Sequence, residues 1–185
     1  MLQFPSIPSW QALHPLVIHF PIALLLVAPL FILAGALLRG ERGRWLLISA
    51  LILMIAGTLG TFLARATGEA AGKVIGSTPQ VHAVLENHEE LAEITSLAFC
   101  VLSLTFTAIV LAPRFLRNAE NRVVSVFLPL AFLIFYSAGA VLLLNTAHNG
   151  GRLVHELGVH ATNGSPARPM AAHKRIVEAG DQDRD

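Results

Sequence analysis

Charge and cysteine are what this chain has least of. Only 14% of its 185 residues are charged, against roughly a quarter in an ordinary soluble domain. The shortage is local: long stretches carry no charge, while the loops and the C-terminal tail hold almost all of it. With 54% hydrophobic residues and a mean hydropathy of +0.62, that distribution implies membrane spans rather than one apolar soluble core. The single cysteine, Cys100, excludes a disulfide framework within the chain. There is no CxxCH motif and no CxxC pair, which excludes c-type heme and thiolate metal sites. A net charge of +1, with no basic stripe outside the loops, argues against a nucleic-acid partner. Several enzyme signatures are also missing. His88-Glu89 has Ala92 where a zinc-protease helix needs its second histidine. The Glu-x-x-His pairs of di-iron bundles, the Walker loop, the GxSxG elbow and the dinucleotide fingerprint do not occur.

Long apolar runs are what the chain does have. Crossing ~30 Å of hydrocarbon takes roughly 20 helical residues. Four stretches are long enough: about Pro15 to Leu38, Trp45 to Ala64, Leu91 to Ala112 and Val123 to Asn145. Helices are required, because lipid cannot satisfy open backbone groups and these segments do not alternate as barrel strands do. The first stretch has no preceding Lys or Arg and is too long for a signal h-region, so it reads as a retained helix. Pro21, Pro29 and Pro129 are expected to bend their helices. The expected fold is an all-α, integral membrane four-helix bundle of up-down-up-down topology. Residues 1–160 form the transmembrane domain and residues 161–185 a disordered polar tail. No strong internal repeat is visible.

Basic residues set the expected orientation. Arg39, Arg42 and Arg44 lie between spans one and two, and Arg114, Arg117 and Arg122 between spans three and four. The positive-inside rule places these short loops in the cytoplasm, although Arg65, Lys73 and Arg152 lie close to the spans on the other side. The chain is then a multi-pass protein of the inner (plasma) membrane, with both termini and the loop from about Ala66 to Glu90 periplasmic or extracellular.

Such a bundle brings the start of span one, the end of two, the start of three and the end of four to one membrane face. Seven of the eight histidines fall there: His14, His19, His82, His88, His148, His155 and His160. His173 lies in the tail. Ionisable groups at membrane depth are costly and are functional candidates. His19, flanked by apolar residues, is expected to point into the bundle as a ligand or to hydrogen-bond a neighbouring helix. His14 and His19 are five residues apart, about 140° around a helix, so they do not share a metal from one face. His88, beside Leu91, Ala92 and Thr95, ranks second to His19 as a ligand, and His148 is held at the rim by the Gly150-Gly151 pair. That pair either breaks the helix or admits another group closely. His82, Glu86, Glu89 and Glu93 recur at spacings of four, three and four, one helical face. That face suits a solvated surface, a cation site or a proton relay.

Two inward histidines from different helices are what a b-type heme needs, and small residues at Ala56-Gly-Thr-Leu-Gly60 and Ser137-Ala-Gly-Ala140 leave room for one or serve helix packing. Histidine with carboxylate also suits zinc, iron or copper. The segment Leu13-His-Pro-Leu-Val-Ile-His-Phe-Pro-Ile-Ala-Leu24 resembles the opening of the domain-of-unknown-function family 2231 of small bacterial membrane proteins. Ala66-Thr-Gly68, His88 and His148-Asn-Gly-Gly-Arg-Leu-Val154 are similar to that family in the same order, over about residues 10 to 160. The resemblance implies four helices with a histidine-rich outer end and, by analogy, a cytochrome-type or redox-associated role. His155 stands where the family usually has an aromatic residue, and Leu157 where it often has histidine. A ligand carried at the Leu157 position would have to come here from His155 or His160.

Three functions follow as expectations. The first is a heme b electron-transfer protein exchanging electrons with quinol or a larger membrane complex. His19 with His88 or His148 would be axial ligands, His14 would serve a second heme or the quinol, and Glu86, Glu89 and Glu93 would receive protons. The second is an outer-face metal-binding or transport protein for copper, zinc or iron, drawing on His19, His88, His148 and His155. The third is a cofactor-free assembly or scaffold subunit.

Overall fold

Each apolar run becomes a helix that extends beyond it at the end nearest the histidines. The structure, a computed structural model, describes residues 9–38, 40–75, 78–115 and 126–159. All regular elements among the described residues are helical. Helix α1 covers Trp10–Leu37, α2 Gly40–Gly72, α3 Pro79–Phe115 and α4 Leu128–His155. All four are long and apolar enough to cross a membrane. Arg39, Arg117, Arg122, His160, His173 and the tail lie outside the described residues.

The histidine-bearing ends depart from the hydropathy reading. The connection expected from about Ala66 to Glu90 is mostly helix, because α2 runs on to Gly72 and α3 begins at Pro79. These added turns are rich in Ala, Glu and other good helix formers, and their charges hide them from a search for apolar runs. The Gly150-Gly151 pair does not end α4, which stays helical to His155.

Burial on each helix follows a three–four spacing. In α1 the buried stripe is Pro21, Leu25, Ala28, Ile32 and Gly35. In α4 it is Pro129, Phe132, Tyr136, Gly139 and Leu143. This spacing seats one face of a helix against its neighbours. The opposite faces expose large side chains such as Ile134, Phe135, Leu104 and Trp45, each about two-thirds or more accessible. Water does not tolerate apolar surface of that extent, and lipid does.

Helix α1 packs on α2, α2 on α3, α3 on α4 and α4 back on α1, closing a ring. Gly68 lies beside His14, Gly57 beside Leu25 and Gly35 beside Leu47, so numbering falls along α2 as it rises along α1. The same holds for the second hairpin, where Thr95 meets Thr146 and Phe106 stacks on Phe132.

Prolines explain two local features of α1. The helix is interrupted at Ile18, where Pro21 has no N–H to give the Val17 carbonyl. Pro29 likewise leaves the Leu25 carbonyl without its helical donor, and there the Tyr136 hydroxyl donates to Leu25 O at 2.6 Å. Tyr136→Phe keeps the ring's edge-to-face contact with Phe99 and orphans that carbonyl. The expected cost is about 1–3 kcal/mol, read as a lower unfolding midpoint in detergent.

Candidate functional site

The site grows from two histidines on helices that do not pack on each other. His14 lies in the second turn of α1 and His88 in the third turn of α3, diagonal helices of the ring. Their imidazoles nevertheless reach the centre, with ring centroids 6.4 Å apart in an edge-to-face arrangement. Both side chains are half-buried.

Each ring is held by the same device on the next helix in the chain. His14 Nδ1 donates to Ala64 O at 2.9 Å, and Gly68 lies four residues on, where an added Cβ would stand 3.0 Å from His14 Cε1. His88 Nδ1 donates to Thr146 O at 2.9 Å, and Gly150 lies four residues on, where a Cβ would stand 3.0 Å from His88 Cε1. Glycine at both positions lets the imidazole edge come this close; an added Cβ would press the ring back by a few tenths of an ångström. Threonines support both histidines. Thr67 Oγ1 lies 3.2 Å from His14 Nδ1 and also donates to Ala64 O. The Thr146 hydroxyl pairs with Thr95 Oγ1 at 2.8 Å.

A carbonyl oxygen only accepts, so each Nδ1 carries the proton and each neutral ring keeps its lone pair on Nε2. No hydrogen-bond partner of either Nε2 is found among the described residues. Both histidines line a cavity of about 840 Å³, within the ~300–1,000 Å³ of small-molecule and cofactor sites. Thr61, Thr95, Ser96 and Leu143 also line it, with Arg65 and Glu93 facing each other across 3.8 Å.

The other candidate residues are arranged differently. His19 was expected to point inward; its side chain is exposed, with Nδ1 donating to Pro15 O of its own helix at 2.6 Å. The reason is angular: once His14 enters the bundle, a residue five positions on sits about 140° away. His19 still touches the cavity, as does exposed His155. His148 is exposed and lies outside the cavity lining. His82 is exposed, 3.9 Å from Glu86. Glu86, Glu89 and Glu93 are exposed and line the cavity. Among the described residues no three His, Cys, Asp or Glu side chains come close enough to hold one metal ion, so His19, His88, His148 and His155 do not form a joint centre.

Ala64, Thr67, Gly68, Thr146 and Gly150 were not assigned as partners of the histidines from sequence. Ala66-Thr-Gly68 and Asn149-Gly-Gly151 stood out as motifs, yet the acceptors are backbone carbonyls, which leave no residue-type signal. No curated protein and no solved structure matches the chain. The family model described as a predicted membrane protein, DUF2231, matches residues 11–163, and the chain belongs to that family.

Proposed function

We propose that this is a membrane redox protein in which His14 and His88 hold one b-type heme between them. The observation that carries the reading is the pair of oriented imidazoles. His14 and His88 would be the residues that hold the metal: metal–imidazole bonds run about 2 Å, and rings whose centres stand 6.4 Å apart are within reach of one ion. Fixing Nδ1 on a carbonyl is how proteins set the tautomer and direction of a ligating histidine. The donor set, two neutral imidazoles without carboxylate or thiolate, suits a heme iron, whose remaining four ligands come from the porphyrin. The largely apolar cavity suits the macrocycle.

A bound heme b supplies reversible one-electron chemistry. The protein's part is to hold the iron by two imidazoles, exclude water with the packed threonine and leucine floor, and present an open, carboxylate-lined mouth. Glu86, Glu89 and Glu93 at that mouth would receive protons if a quinol is the electron donor. The bundle is up-down-up-down in the inner membrane, with both termini and this cavity on the outer face. Arg42 and Arg44 at the opposite end of α2 support that orientation.

Titration of the detergent-purified protein with hemin tests the reading. One equivalent is expected to bind with a low-spin Soret spectrum. Failure to bind hemin, with copper or zinc bound instead, supports the metal-binding alternative. Orientation is checked separately. Single cysteines placed at Ser9 and at Val159 in a Cys100→Ser background are both expected to react with a membrane-impermeant maleimide in intact cells. Reaction at one end only contradicts the even number of crossings.

A further inference from the structure

We propose that Arg65 binds the anionic substituents of the cavity's ligand, exchanging its Glu93 partner for a ligand carboxylate; this rests on the heme reading above, since a heme carries two propionates. Arg65 follows Ala64, the residue whose carbonyl orients His14. Thr61, Arg65, Gly68 and Glu69 all line the cavity from one face of α2. Arg65 is thus on the wall of the site, next to the residue that positions a ligating histidine.

Its charge has no rival there. Among the described residues lining the cavity Arg65 is the one lysine or arginine, against Glu69, Glu86, Glu89, Glu90 and Glu93. A ligand carrying carboxylates is repelled around most of the mouth and attracted at one place. The side chain is also under-used. A guanidinium offers five donors in a fork that fits a carboxylate bidentately. Here its contact with Glu93 is a single one at 3.8 Å, too long for a hydrogen bond. No hydrogen bond to Arg65 is found among the described residues. Glu93 is itself 60% exposed, so water can take its carboxylate over at small cost. A ligand carboxylate is the partner that would fill the fork Glu93 leaves unused.

The test compares hemin with hemin dimethyl ester, which has the same iron and ring and no carboxylate. Wild type is expected to bind hemin on the order of tenfold to a hundredfold more tightly than the ester, the range of a charge-assisted pair. Arg65→Gln should erase that preference while binding the ester as wild type does, which also reports an intact fold. Arg65→Lys should restore part of it, and Glu93→Gln should strengthen hemin binding by removing the competitor. Equal binding of the two porphyrins by wild type, or a preference that survives Arg65→Gln, overturns the role of Arg65 and leaves the histidine site standing. Binding of neither porphyrin overturns the heme reading and this inference together.

Discussion

His14→Ala and His88→Ala are each expected to weaken hemin binding by at least about a hundredfold. Loss of an outer-shell partner of a metal ligand already costs 10–100-fold, and loss of the ligand itself costs more. Any porphyrin retained by a single variant should be five-coordinate and high-spin, because one imidazole remains on one side only. The double variant should show no one-to-one binding. His148→Ala is expected to match wild type, since that side chain is exposed and outside the cavity lining. His19→Ala should keep the low-spin spectrum, because its ring is turned to its own helix at Pro15. These variants separate the account the amino-acid order favours, with His19 as axial ligand, from the account with His14 in that place. Absorption spectra during hemin titration read the result.

The second large effect is steric. Gly68→Val and Gly150→Val each add a side chain whose first carbon alone would stand 3.0 Å from the imidazole Cε1 of His14 or His88. The methyl groups reach further and occupy the ring's place. The ring must swing away, and its Nδ1 then loses the 2.9 Å bond to Ala64 O or Thr146 O. Overpacking of this kind costs about 1–3 kcal/mol, and the misaimed ligand should weaken hemin binding about 10–100-fold. His148→Val is the matched control: it puts a β-branched side chain at the same end of α4, at an exposed position outside the cavity lining. It should bind hemin normally. Equal loss in all three variants would show a general weakness of the helix ends rather than a ring contact.

How much of this was legible beforehand depends on which atoms carry the information. The four spans were legible because hydrocarbon thickness demands a run of apolar residues, and the chain has four. The turns from Arg65 to Gly72 were not, and those from Pro79 to Glu90 showed only in the helical spacing of His82, Glu86, Glu89 and Glu93. They are charged, and their helicity rests on propensity and packing rather than on lipid. Gly150 and Gly151 allowed two readings. The helix continues through them, and the close approach of His88 to Gly150 is the feature the glycine serves. That His14 and His19 face different ways was legible from their spacing alone. Which of them faces inward was not, because it depends on the register of α1 against α2, fixed here by Ala64 and Thr67.

The repetition within the chain was hidden for the same reason. In both hairpins a histidine near the start of the first helix donates to a carbonyl on the second, with glycine four residues beyond it. Ala64 and Thr146 differ in side chain and share only a backbone oxygen. Arg65 counted in the sequence as one more charge beside a span, and its place on the cavity wall emerged only with the helices assembled.

The most direct measurement of the central claim is low-temperature electron paramagnetic resonance of the hemin-loaded ferric protein in wild type, His14→Ala and His88→Ala. The account predicts a low-spin bis-imidazole signal in wild type that gives way to a high-spin signal in either variant. A wild-type signal that is high-spin, or a low-spin signal that persists in both variants, would contradict ligation by this pair.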